Sequence, residues 1–313
     1  MTRAAAATRL PPVDVGRWVN SAPLTPQDLR GRVVLVDVWE YTCVNWIRTA
    51  PYVRAWHRDY RDLGLTVIGA HAPEFAFGRL PENIDRAIRD HGLTYPIAID
   101  DDYTFWRALR NDAWPARYLF DADGRLAGRW VGEGDYDRTE ALIRRLVEAA
   151  APATALPPVT AEVTAFVTGP QPTYAGITPE TYLGAGRGVP GTYALTGDWR
   201  VEGEYVETGD AGAEMVLPFT AGEVNLVADP GPEGPAGIRV LLDGKPAADA
   251  RGADVGPDGR ALVDRAAMIR LVDGATPGEH QLTLRAGRPG FRVRLHVRSL
   301  TRPEEDNPWP SRP

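Results

Sequence analysis

"WEYTCVNWIRTAP", residues 39–51, carries most of what this sequence says about its architecture. The residues leading into it, "VVLVDVW" (33–39), form a continuous apolar run broken by one acid, the pattern of a strand buried on both faces. After a short polar loop comes Cys43, and residues 43–62 read as a helix with Pro51 inside it as an expected kink. A buried strand, a loop, a cysteine and a helix in that order put the thiol at a helix start. The positive end of the helix dipole favours a thiolate there, and cysteines so placed can have pKa values of ~3.5–7.5. Asp37 lies in the middle of the apolar strand, where an acid is costly unless it is paired or put to use. Burial should raise its pKa, which suits a proton relay. Cys43 is the one cysteine in 313 residues, which excludes an internal disulfide and any multi-cysteine metal site.

Outward from this turn, residues 1–150 alternate strand and helix patterns. "LTVIGAHAP" (65–73) reads as a second buried strand running into a loop, and "PENIDRAIRDHG" (81–92) as a short helix. "YPIAID" (95–100) is a third strand and "DYTFWRALRN" (102–111) another short helix. "ARYLFDADGRLAGRWVGEG" (116–134) reads as a hairpin turning at Asp123-Gly124, and "DRTEALIRRLVEAA" (137–150) as an amphipathic helix. Mostly parallel strands with a terminal hairpin and covering helices predict an α/β domain over 1–150. Residues 151–172, rich in Pro, Ala and Thr at their start, read as a linker. From 173 to 301 short alternating strands separated by Gly, Pro and Asp turns predict an all-β sandwich. "RAAMIRLVDG" (265–274) fits either a strand or a turn of helix, and the charged, Pro-rich tail 302–313 is expected to be disordered.

The net charge of −7 argues against nucleic acid or an anionic membrane as partner, and the arginines are scattered, with Lys245 the only lysine. No stretch approaches the ~20 apolar residues of a membrane span. "MTRAAAATRLPPVDVG" lacks the apolar core of a signal peptide, so a cytoplasmic location is expected. No Ser-His-Asp signature, phosphate-binding Gly loop or dinucleotide fingerprint occurs.

These residues resemble a family. The first half looks like a thioredoxin-like domain of the redoxin type, related to thiol–disulfide oxidoreductases of the TlpA and ResA kind. "VDVWEYTC" resembles its strand and reactive turn, Asp37 falls on its buried acid, and Pro51, eight residues after Cys43, on its helix-kinking proline. "NDAWPARYLFDADG" (111–124) resembles the segment with the cis-proline facing the cysteine, which puts Pro115 in that role. "WEYTC", "HAPEF" (71–75), "TPETYLG" (178–184), "ALTGDW" (194–199), "RVLLDG" (239–244) and "GADV" (252–255) are similar to the extracytoplasmic C-terminal region of DipZ-type proteins. That likeness implies a carbohydrate-binding-module-like second domain. The chain departs from the family where C-x-x-C has become Cys43-Val44-Asn45-Trp46.

A dithiol forms a mixed disulfide with its first thiolate and resolves it with its second. Trp46 cannot do the second step. Three readings stay open: a monothiol exchange protein resolved by an outside thiol, a peroxide-reactive thiol, or a redox-inactive binding protein. In the first, Cys43 is the nucleophile, Asp37 tunes protonation and Pro115 aligns the substrate, with Trp46, Trp114 and Glu74 as candidate substrate contacts. The partners are then protein or small-molecule thiols and disulfides, with no cofactor expected. The plainer readings are a packing cysteine, a paired buried acid, a core tryptophan and loop residues making hydrogen bonds. A metal held by Cys43, His71 and Glu74 has acceptable ligand types but no recognised spacing, so none is expected. His57, His91, His280 and His296 fit surface or satisfied core positions better than ligands. In the binding reading the Trp46, Trp114 and Pro115 surface would hold a peptide or another ligand, and Tyr182, Trp199 and Tyr205 could stack on a sugar, although core packing is the commoner role for aromatics in a sandwich.

Overall fold

A computed structural model of the chain describes residues 8–152, 155–169, 178–186, 193–276 and 278–299. Two compact units divide it, Met1–Gly169 and Pro170–Pro313. The expected tail at 302–313 lies outside the described residues.

The first unit is built on a six-stranded sheet. Its strands are β1 (Arg17–Val19), β2 (Val33–Trp39), β3 (Leu65–His71), β4 (Ile97–Ile99), β5 (Ala116–Phe120) and β6 (Leu126–Val131), in the order β1-β4-β3-β2-β5-β6. Helices α1 (Val44–Tyr60), α2 (Pro81–Asp90), α3 (Thr104–Leu109) and α4 (Tyr136–Ala150) lie between or after them. All seven residues of β2 are buried, because β3 pairs with it on one side and β5 on the other. Alternation then sorts its side chains. Val34, Val36 and Val38 join a core with Ile68, Tyr118, Phe120, and Phe105 and Leu109 of α3. Asp37 and Trp39 project to the opposite face, toward α1. Each fully buried aliphatic side chain in this core contributes ~1.5–3 kcal/mol.

Two expectations need correction. The sheet is not mostly parallel: β2, β3 and β4 are parallel to one another, while β1–β4, β2–β5 and β5–β6 pair antiparallel. Strand β1 was not legible, since three half-buried residues carry no periodic pattern. The stretch 151–172 is not all linker either, because Ala161–Thr168 forms a further helix, α5. Thr160 caps it, its hydroxyl accepting from the Val163 N–H at 3.3 Å. Buried Glu140 of α4 then collects four donors. They are Trp56 Nε1 at 3.2 Å, Tyr60 Oη at 2.5 Å, and the N–H and hydroxyl of Thr160, each at 2.9 Å. Phe166 sets its edge against Tyr52 and Tyr136, whose rings stack 3.6 Å apart. One carboxylate and one aromatic cluster thus fasten α5 onto α1 and α4.

The second unit holds two antiparallel sheets. One runs in the order β16 (Ala267–Asp273), β12 (Glu223–Asp229), β18 (Arg292–Ser299), β10 (Val206–Thr208), β9 (Trp199–Val201), with β7 (Thr181–Tyr182) also paired to β18. The other runs β14 (Lys245–Pro246), β13 (Ala236–Leu242), β17 (His280–Ala286), β11 (Glu214–Phe219), β8 (Ala194–Thr196), with β15 (Arg260–Val263) also paired to β13. Met215, Leu217, Val240 and Leu282 of one sheet share a core with Leu226, Leu271 and Val293 of the other. The ambiguous segment after residue 265 is a strand, β16.

Candidate functional site

The redox candidates meet at one edge of the first sheet. Trp39 ends β2 opposite His71, which ends β3, and Val38 pairs with Ala116 at the start of β5. The turn Glu40–Cys43, the loop 72–75 and Trp114-Pro115 therefore leave the sheet side by side. Cys43 is the N-cap residue of α1, and its carbonyl accepts the Ile47 N–H at 2.9 Å. It is 9% exposed. Such a position offers the thiol sulfur the unpaired N–H groups and dipole of the helix start. The Trp114–Pro115 peptide bond is cis, as expected, and Pro115 is buried. Trp114 is half-buried, with its indole N–H donating to the Ala72 carbonyl at 2.9 Å and its ring centroid 4.3 Å from that of Trp106.

Trp46 is placed differently from the substrate contact expected of it. It is fully buried, stacks on Trp39 at 4.5 Å and takes the edge of His91 at 5.0 Å. Its indole N–H donates to Asp37 Oδ2 at 3.0 Å. One helical turn after Cys43, α1 comes back over β2, which brings residue 46 above residue 37. A ring so enclosed has no face left for a substrate.

Asp37 is fully buried and its pKa is raised to about 6 by desolvation, against the opposing effects of the Trp46 hydrogen bond and the nearby Arg117 charge. Its Oδ1 has no partner. Arg117, opposite Asp37 in the β2–β5 ladder, is fully buried too. It donates to the Gly134 carbonyl at 2.6 Å and lies 5.0–5.9 Å from the centroids of Trp56, Trp130 and Tyr136. Burial lowers the pKa of this guanidinium, partly offset by Tyr136 and Asp37.

Sequence reasoning passed over Glu40. Its carboxyl is buried, accepts the Thr42 N–H at 2.7 Å and the Thr42 hydroxyl, and has its pKa raised to about 8, by desolvation first. The charge of Glu74, itself 5% exposed, adds to that rise. No spacing rule marks a Glu in a polar loop as buried; only the folding of residues 73–78 over the turn makes it so. Arg117 and Glu140 were also missed, although Glu140 shares the apolar stripe of α4 with Tyr136, Ile143 and Val147. His71 is fully buried, neither ring nitrogen has a partner, and desolvation lowers its pKa to about 3, so it is neutral at ordinary pH. Among the described residues no three of His, Cys, Asp and Glu are arranged to hold a metal.

Residues 178–294 match the family described as "Thioredoxin like C-terminal domain". The chain is 36% identical to Protein DipZ of Mycobacterium tuberculosis over 255 residues, covering 74% of this chain and 36% of DipZ. It is 26% identical to the thiol-disulfide oxidoreductase YkuV of Bacillus subtilis over 130 residues, covering 42% of this chain and 87% of YkuV. With the thiol-disulfide oxidoreductase ResA of Bacillus thuringiensis it shares 22% identity over 120 residues, 38% of this chain and 66% of ResA.

The chain is thus similar to DipZ and, over its first unit, to thioredoxin-like thiol-disulfide oxidoreductases. It spans little more than a third of DipZ, and no helix among its described residues is long and apolar enough to cross a membrane. Of the other histidines, His57 sits edge-on to Tyr95 at 5.7 Å. His280 bridges Asp243 at 2.8 Å and the Thr276 carbonyl at 2.8 Å, and the side chain of His296 lies outside the described residues. In the second unit the ring of Tyr205 has two guanidinium groups, those of Arg292 and Arg294, each 4.9 Å from its centroid. Trp199 packs against the core cluster. Neither is presented as an open sugar platform.

Proposed function

We propose that this redoxin is a monothiol exchange protein with Cys43 as its nucleophile. The position of Cys43 at the start of α1, beside Trp114-Pro115 at the sheet edge, is the observation that carries the reading. The printed activity of YkuV and ResA supports the substrate class, thiols and disulfides. The Cys43 thiolate attacks a disulfide; a new S–S bond forms to Cys43, the old one breaks, and the leaving thiolate takes up a proton. A low-molecular-weight thiol from outside then attacks the mixed disulfide, releasing Cys43 and leaving the small thiol joined to the substrate sulfur. This requirement favours the cytoplasm, where such a thiol pool is kept reduced. Pro115 aligns the incoming chain, with half-buried Trp114 at the rim of the site; Glu74, being buried, is not the substrate contact expected of it.

Asp37 serves less as a relay than its position implies. The Trp46 indole engages one of its oxygens, and there is no second thiol for it to deprotonate. The test is incubation of the full chain with a small disulfide, read by intact mass. A single adduct, absent in Cys43→Ser and removed by added thiol, is expected. A native protein that forms no adduct while its denatured form does would leave the binding-protein reading in its place.

A further inference from the structure

We propose that Glu40 and Glu74 form a buried carboxyl pair that controls how readily the Cys43 thiol ionises, with Glu40 as the positioning residue; this rests on the thiol-exchange reading. Glu40 and Cys43 are the two ends of one tight turn, since the Cys43 N–H donates to the Glu40 carbonyl at 3.2 Å. The Glu40 side chain folds back over that same turn, its Oε2 holding both the N–H and the hydroxyl of Thr42. Its Oε1 is buried and has no partner. A β-carbon added at Gly78 would come within 3.5 Å of that oxygen and 3.0 Å of Pro73, so the loop carrying Glu74 closes over the carboxyl. The titratable groups at this edge are Glu74 after β3, His71 at its end, Asp37 in β2, and Tyr41 and Cys43 on the turn. Among them, Glu74 bears a charge that repels that of Glu40.

Two carboxyls so enclosed do not both ionise easily, and near neutrality the pair retains a proton. As pH rises and that proton leaves, a negative charge appears in the turn where the thiolate must also form. The two ionisations oppose each other, so Cys43 titrates as part of a coupled set. Below the carboxyl transition the turn carries one negative charge fewer and the helix start acts on the thiol with less opposition; above it, thiolate formation is held back.

The experiment follows ultraviolet thiolate absorbance of the full chain against pH, with Cys43→Ser as blank, in the native protein, Glu40→Gln and Glu74→Gln. The native curve should be broader than a single ionisation. Glu40→Gln should collapse it to one step, with about tenfold more thiolate relative to thiol on the alkaline side, the equivalent of one unit of coupling. Glu74→Gln should keep two steps and move the carboxyl step to lower pH, because it removes the repulsion that holds Glu40 protonated. A merely structural Glu40 would produce neither change. Infrared absorption of a protonated carboxyl at neutral pH, lost in Glu40→Gln, gives a readout that does not depend on the thiol. Superimposable native and Glu40→Gln titrations, or no such infrared band in the native protein, would overturn the proposal. Coupled titration without mixed-disulfide formation would instead sink the exchange reading alone.

Discussion

Replacing Asp37 by Asn should shift relative stability in favour of the variant as pH rises. The folded pKa of Asp37 is raised from the ordinary 3.8 to about 6, chiefly by burial. A raised carboxyl pKa means the folded state binds the proton more tightly than the unfolded state. Stability is therefore full below the unfolded pKa and falls as pH rises through the folded one. The shift of roughly two units corresponds to about 3 kcal/mol, all of it expressed by pH 7.5. In the Asp37→Asn variant the side chain keeps an acceptor for the Trp46 indole and does not titrate. Its amide also takes the place of the unpartnered Oδ1, so a constant offset separates the two proteins. The change in that offset between pH 3.5 and 7.5, about 3 kcal/mol in favour of the variant, is the quantity predicted. Urea unfolding of both full chains across this range measures it. Trp18, Trp39, Trp46, Trp56, Trp106, Trp114 and Trp130 all lie in the first unit and supply most of the fluorescence signal. Parallel stability curves would refute the assignment of Asp37 as a desolvated, ionising acid.

Other perturbations separate the remaining contacts. Trp46→Phe keeps a ring on Trp39 but removes the indole donor, so the Asp37 pKa should rise further and stability at pH 7.5 should fall by an extra ~1.5–3 kcal/mol; an unchanged Asp37 titration by NMR would contradict the 3.0 Å bond. Trp46→Cys should lose about 3–5 kcal/mol by emptying a fully buried site, and under oxidation a 43–46 disulfide should form if the turn is built as the resemblance implies; mass mapping of a digest decides it. Glu140→Gln should cost about 3 kcal/mol and strip hydrogen-exchange protection from α5; full protection at 161–168 would show that the clamp is not what holds the helix. His280 has its pKa raised by Asp243 and the Thr276 carbonyl, so its contribution is present at low pH and fades as pH rises through its folded value. Being largely a surface pair, it should move stability by under ~1 kcal/mol, and equal melting of His280→Gln and native protein at pH 5.5 would remove it from consideration.

The turn and its strand were legible because burial on both faces leaves a compositional trace: β2 has no polar residue except Asp37, and that exception marks itself. The Asp123-Gly124 hairpin and the alternating strands of the second unit were legible for the same local reason. What escaped depends on contacts distant in sequence. Residues 161–168 follow a Pro-rich stretch and are held by Glu140, some 20 residues earlier, so their own pattern is weak. Trp46 looked available to a substrate because nothing in a C-x-x-W spacing says that the ring turns inward to an acid nine residues back. Glu40 reads as a polar loop residue until residues 73–78 fold onto it.

The bond between Trp46 and Asp37 ties the identity of residue 46 to the rest of the core. A cysteine placed at position 46 meets a void left by the indole, an unsatisfied buried acid and an unstacked Trp39. Packing alone therefore disfavours a second thiol at this position. Refilling the space around Trp39 and His91 must come before, or together with, the second thiol. Position 46 is thus fixed by the packing of the core, whatever chemistry Cys43 performs.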